Sequence, residues 1–291
     1  MSNPPPKSPL RLALPKGRMQ TGVFQLLADA GVQVRLDARG YRPVVSLPDV
    51  EAKLLKPQSI VEMLHVGSRD LGFAGADWVA EHGAGLVDLL DTGLDPVRIV
   101  AAAPPDLLVD GRLPPRPVRI ASEYVALTER WLRRAGAQGT VLRSYGATEV
   151  LPPEDADAIV DNTATGSTLR ANGLEIFAEL MRSSTRLYAH PAALDDPARR
   201  ARIDALVLLL RSVLEARARV MVELNVPGDR LDAVIAVLPC MRRPTLARLF
   251  GDDGYAVKAA VPRDRLADLV PLLKACGGSD IVVYPLSQIV P

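Results

Sequence analysis

The sequence predicts an α/β protein that ends in a small α+β module, and three observations carry the expectation. Short apolar runs alternate with helical segments through residues 10–103, as in a layered, largely parallel sheet. The same alternation resumes after a Pro-rich stretch at residues 104–117. Beyond Met221 the order becomes strand, helix, strand, strand, helix, strand, the arrangement of a ferredoxin-like unit.

The elements follow in order. Residues 10–14 read as a buried strand; 19–30 have helical spacing and stop at Gly31; 32–36 are the next strand. Another apolar run, 97–102, precedes the Pro-rich connection, which contains Pro114-Pro115-Arg116-Pro117. The second set comprises strand 118–121, helix 125–135 closed by Gly136, strands 140–143 and 158–160, helix 168–173, and a run at 187–190 that ends it. Residues 197–222 are rich in helix formers, with Ile203, Leu206, Leu210, Val213 and Leu214 near helical spacing, and predict a long helix. The last part is predicted as strand 222–226, helix 231–237, a strand near 245–250, strand 256–261, helix 263–276 and strand 281–284.

Composition excludes several classes. The chain has 291 residues, 48% of them hydrophobic, which predicts two or three packed units rather than a disordered chain. A net charge of +1 supplies no long-range field for a nucleic acid or an anionic membrane, so an anionic ligand must be met locally. At 4% aromatic residues, a stacking platform for bases is disfavoured. Cys240 and Cys276 are too few for a disulfide framework or a zinc cluster, and predict a reducing, cytoplasmic setting. The N-terminal residues lack a signal-peptide core, and no stretch reaches the ~20 apolar residues that span a bilayer. His65, His82 and His190 have no metal-site spacing, so no protein metal ligands are expected.

Chemistry concentrates in a few turns. In Asp161-Asn162-Thr163-Ala164-Thr165-Gly166-Ser167-Thr168 an apolar strand runs into a hydroxyl-rich loop and a helix start. Backbone N–H groups there, with the hydroxyls of Thr165, Ser167 and Thr168, can cradle a phosphate, while Asp161 can accept from ribose hydroxyls. The same composition also suits an ordinary capped turn. Lys16-Gly17-Arg18 follows the first strand, where ligands bind in open α/β sheets, although a solvated basic turn has the same composition. Gly and Asp alternate from Gly67 to Asp77, around Asp70. Glu149 follows Tyr145-Gly146 in a strand-to-helix turn, where it is either a ligand contact or a cap.

In this order the segments resemble the ATP phosphoribosyltransferases. The matching stretches are Ala13-Leu14-Pro15-Lys16-Gly17-Arg18, Asp70-Leu71-Gly72-Phe73-Ala74-Gly75-Ala76-Asp77, Arg119-Ile120-Ala121-Ser122-Glu123-Tyr124 and Gly146-Ala147-Thr148-Glu149-Val150. The most specific runs from Ala156 through Asp161 and Thr165-Gly166-Ser167-Thr168 to Leu174 and is similar to that family's phosphoribosyl pyrophosphate loop. Leu238-Pro239, Arg243-Pro244-Thr245, Leu273-Lys274-Ala275-Cys276-Gly277 and Asp280-Ile281-Val282-Val283 extend the match to the long form.

The resemblance implies a two-lobed catalytic part, similar to periplasmic binding proteins, and an ACT-like regulatory domain. It places the first lobe at 8–103 with a returning helix at 197–220, the second at 104–196 and the regulatory domain at 221–291. Implied substrates are ATP and phosphoribosyl pyrophosphate, with Mg2+ as cofactor and histidine as feedback inhibitor. Lys16, Arg18 and Asp161 become the catalytic residues, while Asp70, Glu149, Thr165, Gly166, Ser167 and Thr168 bind substrate. Asn225, Met241, Thr245 and Ala275 fall at the histidine positions, and a homo-oligomer from dimer to hexamer is implied. Lys56-Pro57-Gln58-Ser59-Ile60-Val61 departs from the family pattern, lacking an acid and a proline, and motivates the rival expectation of a catalytically weakened relative acting as a nucleotide-binding or regulatory subunit.

Overall fold

A computed structural model describes residues 9–36, 40–251 and 253–290. The Pro-rich N-terminal segment, and with it the start of the expected first lobe, lies outside the described residues. The chain divides into two units, residues 9–25 with 32–203, and residues 26–31 with 204–290.

The first unit begins with β1 (Leu10–Pro15), whose side chains are almost all buried, and enters α1 (Arg18–Asp29). β2 (Val34–Arg35) and β3 (Val44–Val45) form a separate two-stranded ribbon. The strand expected at 32–36 therefore does not join the main sheet. Gln33 and Arg35 alternate with the apolar residues, which suits a half-exposed ribbon rather than a strand covered on both faces. The neighbour of β1 is instead β4 (Val50–Leu55), with α2 (Pro57–His65), β5 (Leu71–Gly75) and α3 (Ala76–His82) following. β4 carries Glu51 and Lys53 on its more exposed face and gave no continuous apolar run.

The apolar run at 97–102 is the buried end of β6 (Val87–Ala103). Then come β7 (Val118–Ser122), α4 (Val125–Ala135), β8 (Gly139–Arg143), β9 (Ala158–Thr163), α5 (Ser167–Ala171) and β10 (Glu175–Ala189). α4 ends as expected at Gly136, which adopts φ +65° and donates its N–H to Arg133. Between β8 and β9, where a helix was expected after Tyr145, residues 148–150 make one 3₁₀ turn.

These strands form one sheet in the order β4-β1-β5-β10-β6-β9-β7-β8. β4-β1-β5 and β9-β7-β8 are parallel sets, and the antiparallel strands β10 and β6 join them. The end of β10 pairs with β5, so residues 187–189 lie with the first set of strands, correcting the expectation that they close the second. Sequence reading divided the two halves at the Pro-rich stretch, but two long bulged strands run through both. Bulges let one strand re-aim its side chains from one core to another. One core gathers Ala13, Ile60, Leu64 and Tyr188, and another Ile99, Ile120, Leu132 and Val160.

α6 (Pro197–Arg217) is the expected long helix, ending before Val222 because β11 (Arg219–Val226) starts there with strict alternation of burial. The second unit continues with α7 (Leu231–Val237), β12 (Thr245–Arg248), β13 (Tyr255–Pro262), α8 (Leu266–Ala275) and β14 (Ser279–Pro285). The sheet order β12-β13-β11-β14, with every pair antiparallel, is the expected ferredoxin-like arrangement. Val222, Leu224, Val234, Val257, Val261 and Leu273 fill its core. Among the described residues no helix is long and apolar enough to cross a membrane.

Candidate active site

The carboxyl ends of β1, β5, β7 and β9 meet around a cleft with a cavity volume of about 220 Å³. Ligands bind in this position in open α/β sheets because loops and helix starts converge there. β1 delivers Lys16 and Arg18, β5 leads to Asp77, β7 to Glu123 and Tyr124, and β9 to Asn162; all of them line the cleft. Arg18 is exposed, and Lys16 has its ammonium 5.4 Å from the Tyr41 ring centre. A second cavity of about 650 Å³, bounded by Lys56, Arg143 and Tyr145, shares Gln58, Trp78 and Glu123 with the first. Lys56 and Gln58 thus face the cavities from the start of α2, and Pro57 sits at the first turn, where a missing N–H costs no helical bond. The departing segment keeps its helix and contributes a cation.

Asp161 is half-buried at the end of β9, next to Asn162. Its carboxyl is pushed up to about 6, first by burial and then by the negative charge of Glu123 and Glu149. The Asn162 backbone N–H, 2.6 Å from Oδ1, and the Thr148 hydroxyl act in the opposite direction. Glu149, on the 3₁₀ turn, is therefore close enough to act on Asp161 electrostatically, although it does not line either cavity.

The hydroxyl-rich loop leads from β9 into α5. Gly166 holds φ +75°, a region that disfavours any side chain, and its N–H donates to the Thr163 hydroxyl at 2.9 Å. Thr165 and Ser167 hydroxyls are 3.0 Å apart, and Arg170 donates to the Thr165 carbonyl at 3.2 Å. Thr165, Ser167 and Thr168 are exposed, as a cradle for an external anion must be. These residues do not line the two cavities, so the cleft gathers the basic loop and the end of β9 but not the hydroxyls themselves.

Asp70 does not belong to this site. It is 1% exposed and precedes β5, at the opposite end of the parallel strands. Arg11 binds it through Nη2 at 2.6 Å and its backbone N–H at 2.8 Å, and Arg199 adds Nη1 at 3.3 Å. Burial pushes Asp70 up, but Arg11, with help from Arg199, outweighs it and holds the carboxyl below its ordinary range. The expected nucleotide contact is corrected: the carboxylate is consumed by a structural ion triad. The motif around it gave no way to tell a ligand contact from an internal partner, because Arg11 and Arg199 lie 59 and 129 residues away.

Sequence reading missed a network at the base of the cleft. Tyr124, fully buried, donates its hydroxyl to Asp77 Oδ2 at 2.7 Å, and Ser183 donates to Asp77 Oδ1 at 2.6 Å. Asn162 Nδ2 lies 3.2 Å from both the Tyr124 oxygen and Asp161 Oδ1. Glu81 accepts the N–H groups of Ala126 and Leu127 at 2.9 and 2.8 Å, tying α3 to the start of α4. Asp77, Tyr124 and Asn162 all stand in the quoted motifs, but their convergence depends on sheet order.

In the second unit the four residues at the expected histidine positions do not share one pocket. Asn225 and Thr245 line one, Met241 and Thr245 another, and Ala275 lies exposed on α8. Asn225 donates to Asp280 Oδ2 at 3.1 Å, so the neutral residue is accompanied by an acid that stands in a matching stretch but was given no role from sequence.

The fold and the cleft define an α/β protein with a basic loop and a cleft at the carboxyl ends of its strands and a ferredoxin-like C-terminal domain. Comparisons narrow this class. The family model for ATP phosphoribosyltransferase matches residues 56–212, and that for its C-terminal domain matches residues 216–288. The chain is 40% identical over 287 residues to the ATP phosphoribosyltransferase of Pelotomaculum thermopropionicum, covering 97% of this chain and 99% of that one. It is 41% identical over 287 residues to that of Desulforudis audaxviator, with the same coverage. A solved structure, the ATP phosphoribosyl transferase (HisG:HisZ) complex from Thermotoga maritima, aligns with TM-score 0.62 and 26% identity over 69% of this chain and 98% of that chain. The chain belongs to the ATP phosphoribosyltransferase family, in its long form with the C-terminal domain.

Proposed function

We propose that the cleft of the first unit binds phosphoribosyl pyrophosphate and ATP so that adenine N1 attacks ribose C1, with pyrophosphate leaving and C1 inverted. The reaction is the family's own, the first step of histidine biosynthesis, and the product is N1-(5-phosphoribosyl)-ATP. One observation carries this reading: Lys16 and Arg18 share a cleft with Asn162, the residue next to Asp161, at the carboxyl ends of the strands.

The transfer develops positive charge at the ribose and negative charge on the leaving group, so positioning and charge stabilisation dominate. Thr165, Gly166, Ser167 and Thr168 hold the 5-phosphate, and the ionised Asp161 accepts from the ribose hydroxyls. Lys16 and Arg18 stabilise pyrophosphate or the ATP phosphates. Glu149 acts through its charge on Asp161.

Mg2+ fits this cleft in one way. Among the described residues no three His, Cys, Asp or Glu side chains group closely enough to hold a metal. The negative charge of Glu123 and Glu149 around Asp161 nevertheless favours a nearby cation. Mg2+, if bound, would be held mainly by substrate oxygens and water, as is usual for this ion, with Asp161 the residue that would help hold it. When bound, it neutralises charge on the leaving pyrophosphate.

Histidine inhibits through the second unit, with Asn225, Thr245 and the neighbouring Asp280 recognising its ammonium group. The working form is a cytoplasmic homo-oligomer, from dimer to hexamer. An initial-rate assay with ATP and phosphoribosyl pyrophosphate, with and without histidine, tests the whole reading. No formation of phosphoribosyl-ATP by the pure chain would favour the regulatory-subunit alternative, and a flat response to histidine would leave the C-terminal domain a scaffold.

A further inference from the structure

We propose that Asp77 is a positioning residue for Asp161, acting through Tyr124 and Asn162. The proposal rests on the assignment of Asp161 to the ribose hydroxyls. A carboxylate only accepts, and Asp77, 5% exposed at the start of α3, has both oxygens engaged: Oδ1 by the Ser183 hydroxyl and Oδ2 by the Tyr124 hydroxyl. The Ser183 oxygen in turn accepts the Asp77 backbone N–H at 3.0 Å, which fixes that hydroxyl as a donor to the carboxylate. The Tyr124 proton is thereby committed to Asp77. Burial, then the charges of Asp77 and Asp161, push the phenol well above its ordinary range, so it stays protonated.

The consequence passes to Asn162. With its proton facing Asp77, the Tyr124 oxygen offers only lone pairs to the rest of the network. Asn162 therefore has two acceptors before it, the Tyr124 oxygen and Asp161 Oδ1, each 3.2 Å from Nδ2. Only the amino end of the amide satisfies both, since its two N–H groups point in different directions. Asp161 Oδ1 then receives two donors from Asn162, the backbone N–H and the side chain, and the carboxylate plane is held. A negative charge reached from β5 thus orients a carboxylate at the end of β9, and the relay spans the two parallel sets of the sheet.

Two substitutions break the relay differently. Tyr124→Phe removes the relaying oxygen. Asp77→Asn keeps the shape but presents an N–H that can turn toward Tyr124; the phenol proton then swings to Asn162, whose carbonyl must turn in to accept it and so opposes Asp161. Both variants of the full chain are expected to raise KM for phosphoribosyl pyrophosphate about tenfold, the effect of roughly one charge-assisted hydrogen bond. KM for ATP should change less than twofold. A merely structural role would lower the melting temperature and leave the ratio of the two KM values at its wild-type value, overturning the proposal.

The decisive measurement is a double-mutant cycle with Asp161→Asn. If Asp77 acts through Asp161, Tyr124→Phe has little further effect on KM for phosphoribosyl pyrophosphate once Asp161 is replaced. A raised KM in Asp161→Asn with a fully additive effect of Tyr124→Phe would overturn the relay alone. An unchanged KM in Asp161→Asn would overturn the ribose assignment and the proposal with it.

Discussion

Replacing Asp161 by asparagine should stabilise the first unit while raising its KM for phosphoribosyl pyrophosphate. In the folded chain this carboxyl titrates near 6 instead of the ordinary 3.8, mainly through burial and then through Glu123 and Glu149. The folded state consequently holds a proton that the unfolded chain has released between these values. Stability falls as pH rises through that window, and the full cost remains above it. The difference from 3.8 to about 6 is worth roughly 3 kcal/mol at 1.36 kcal/mol per pH unit. Asn has no charge to desolvate, so the variant should gain up to about 3 kcal/mol at pH 8 and almost nothing at pH 3.5. Urea unfolding followed by tryptophan fluorescence reads the relevant unit, because Trp78 and Trp131 both lie in it. The same group predicts that kcat/KM for phosphoribosyl pyrophosphate falls as pH drops through about 6, since a protonated Asp161 accepts less well. A variant less stable than the wild type at pH 8, or equally stabilised at both pH values, would refute the reasoning.

Gly166→Asp should abolish phosphoribosyl pyrophosphate binding in calorimetry while the chain stays folded. The new Cβ would lie 3.1 Å from Ile176 Cδ1 in a left-handed conformation costing roughly 1–2 kcal/mol, and the carboxylate would repel the phosphate; unchanged affinity would remove the loop assignment. Asp70→Asn should cost about 3 kcal/mol at neutral pH by leaving Arg11 and Arg199 without their charge partner. Because the Asp70 carboxyl is held low, the stability it contributes is present above its unfolded pKa and is lost as pH falls through the folded value. The difference between variant and wild type should therefore shrink in acid, while a change of more than twofold in either KM would return Asp70 to the active site. Asp280→Asn should raise the histidine concentration for half-inhibition about tenfold, given one lost charge-assisted contact; an unchanged value would move the ammonium site elsewhere.

Local pattern was enough to place most elements. α4 and α7 follow from helical spacing, with Gly136 ending the first, and the C-terminal module is legible from the order in which its short strands and helices follow one another. The motif segments were also legible as connections: Lys16 and Gly17 link β1 to α1, and Asp161 to Thr168 run from the last residues of β9 into α5. β4 was not, because Glu51 and Lys53 interrupt the apolar run of a strand that is only partly covered.

The sequence by itself determined which residue types stand at the ends of which strands, since that depends on neighbours in the chain. Tertiary structure alone decided their partners. Asp70 and Asp77 lie in one motif seven residues apart, yet one is locked by Arg11 and Arg199 and the other meets Tyr124 and Ser183 at the cleft. A strand carries its two ends to opposite edges of the sheet, and which distant side chains wait there depends on strand order. No spacing within the motif encodes that order.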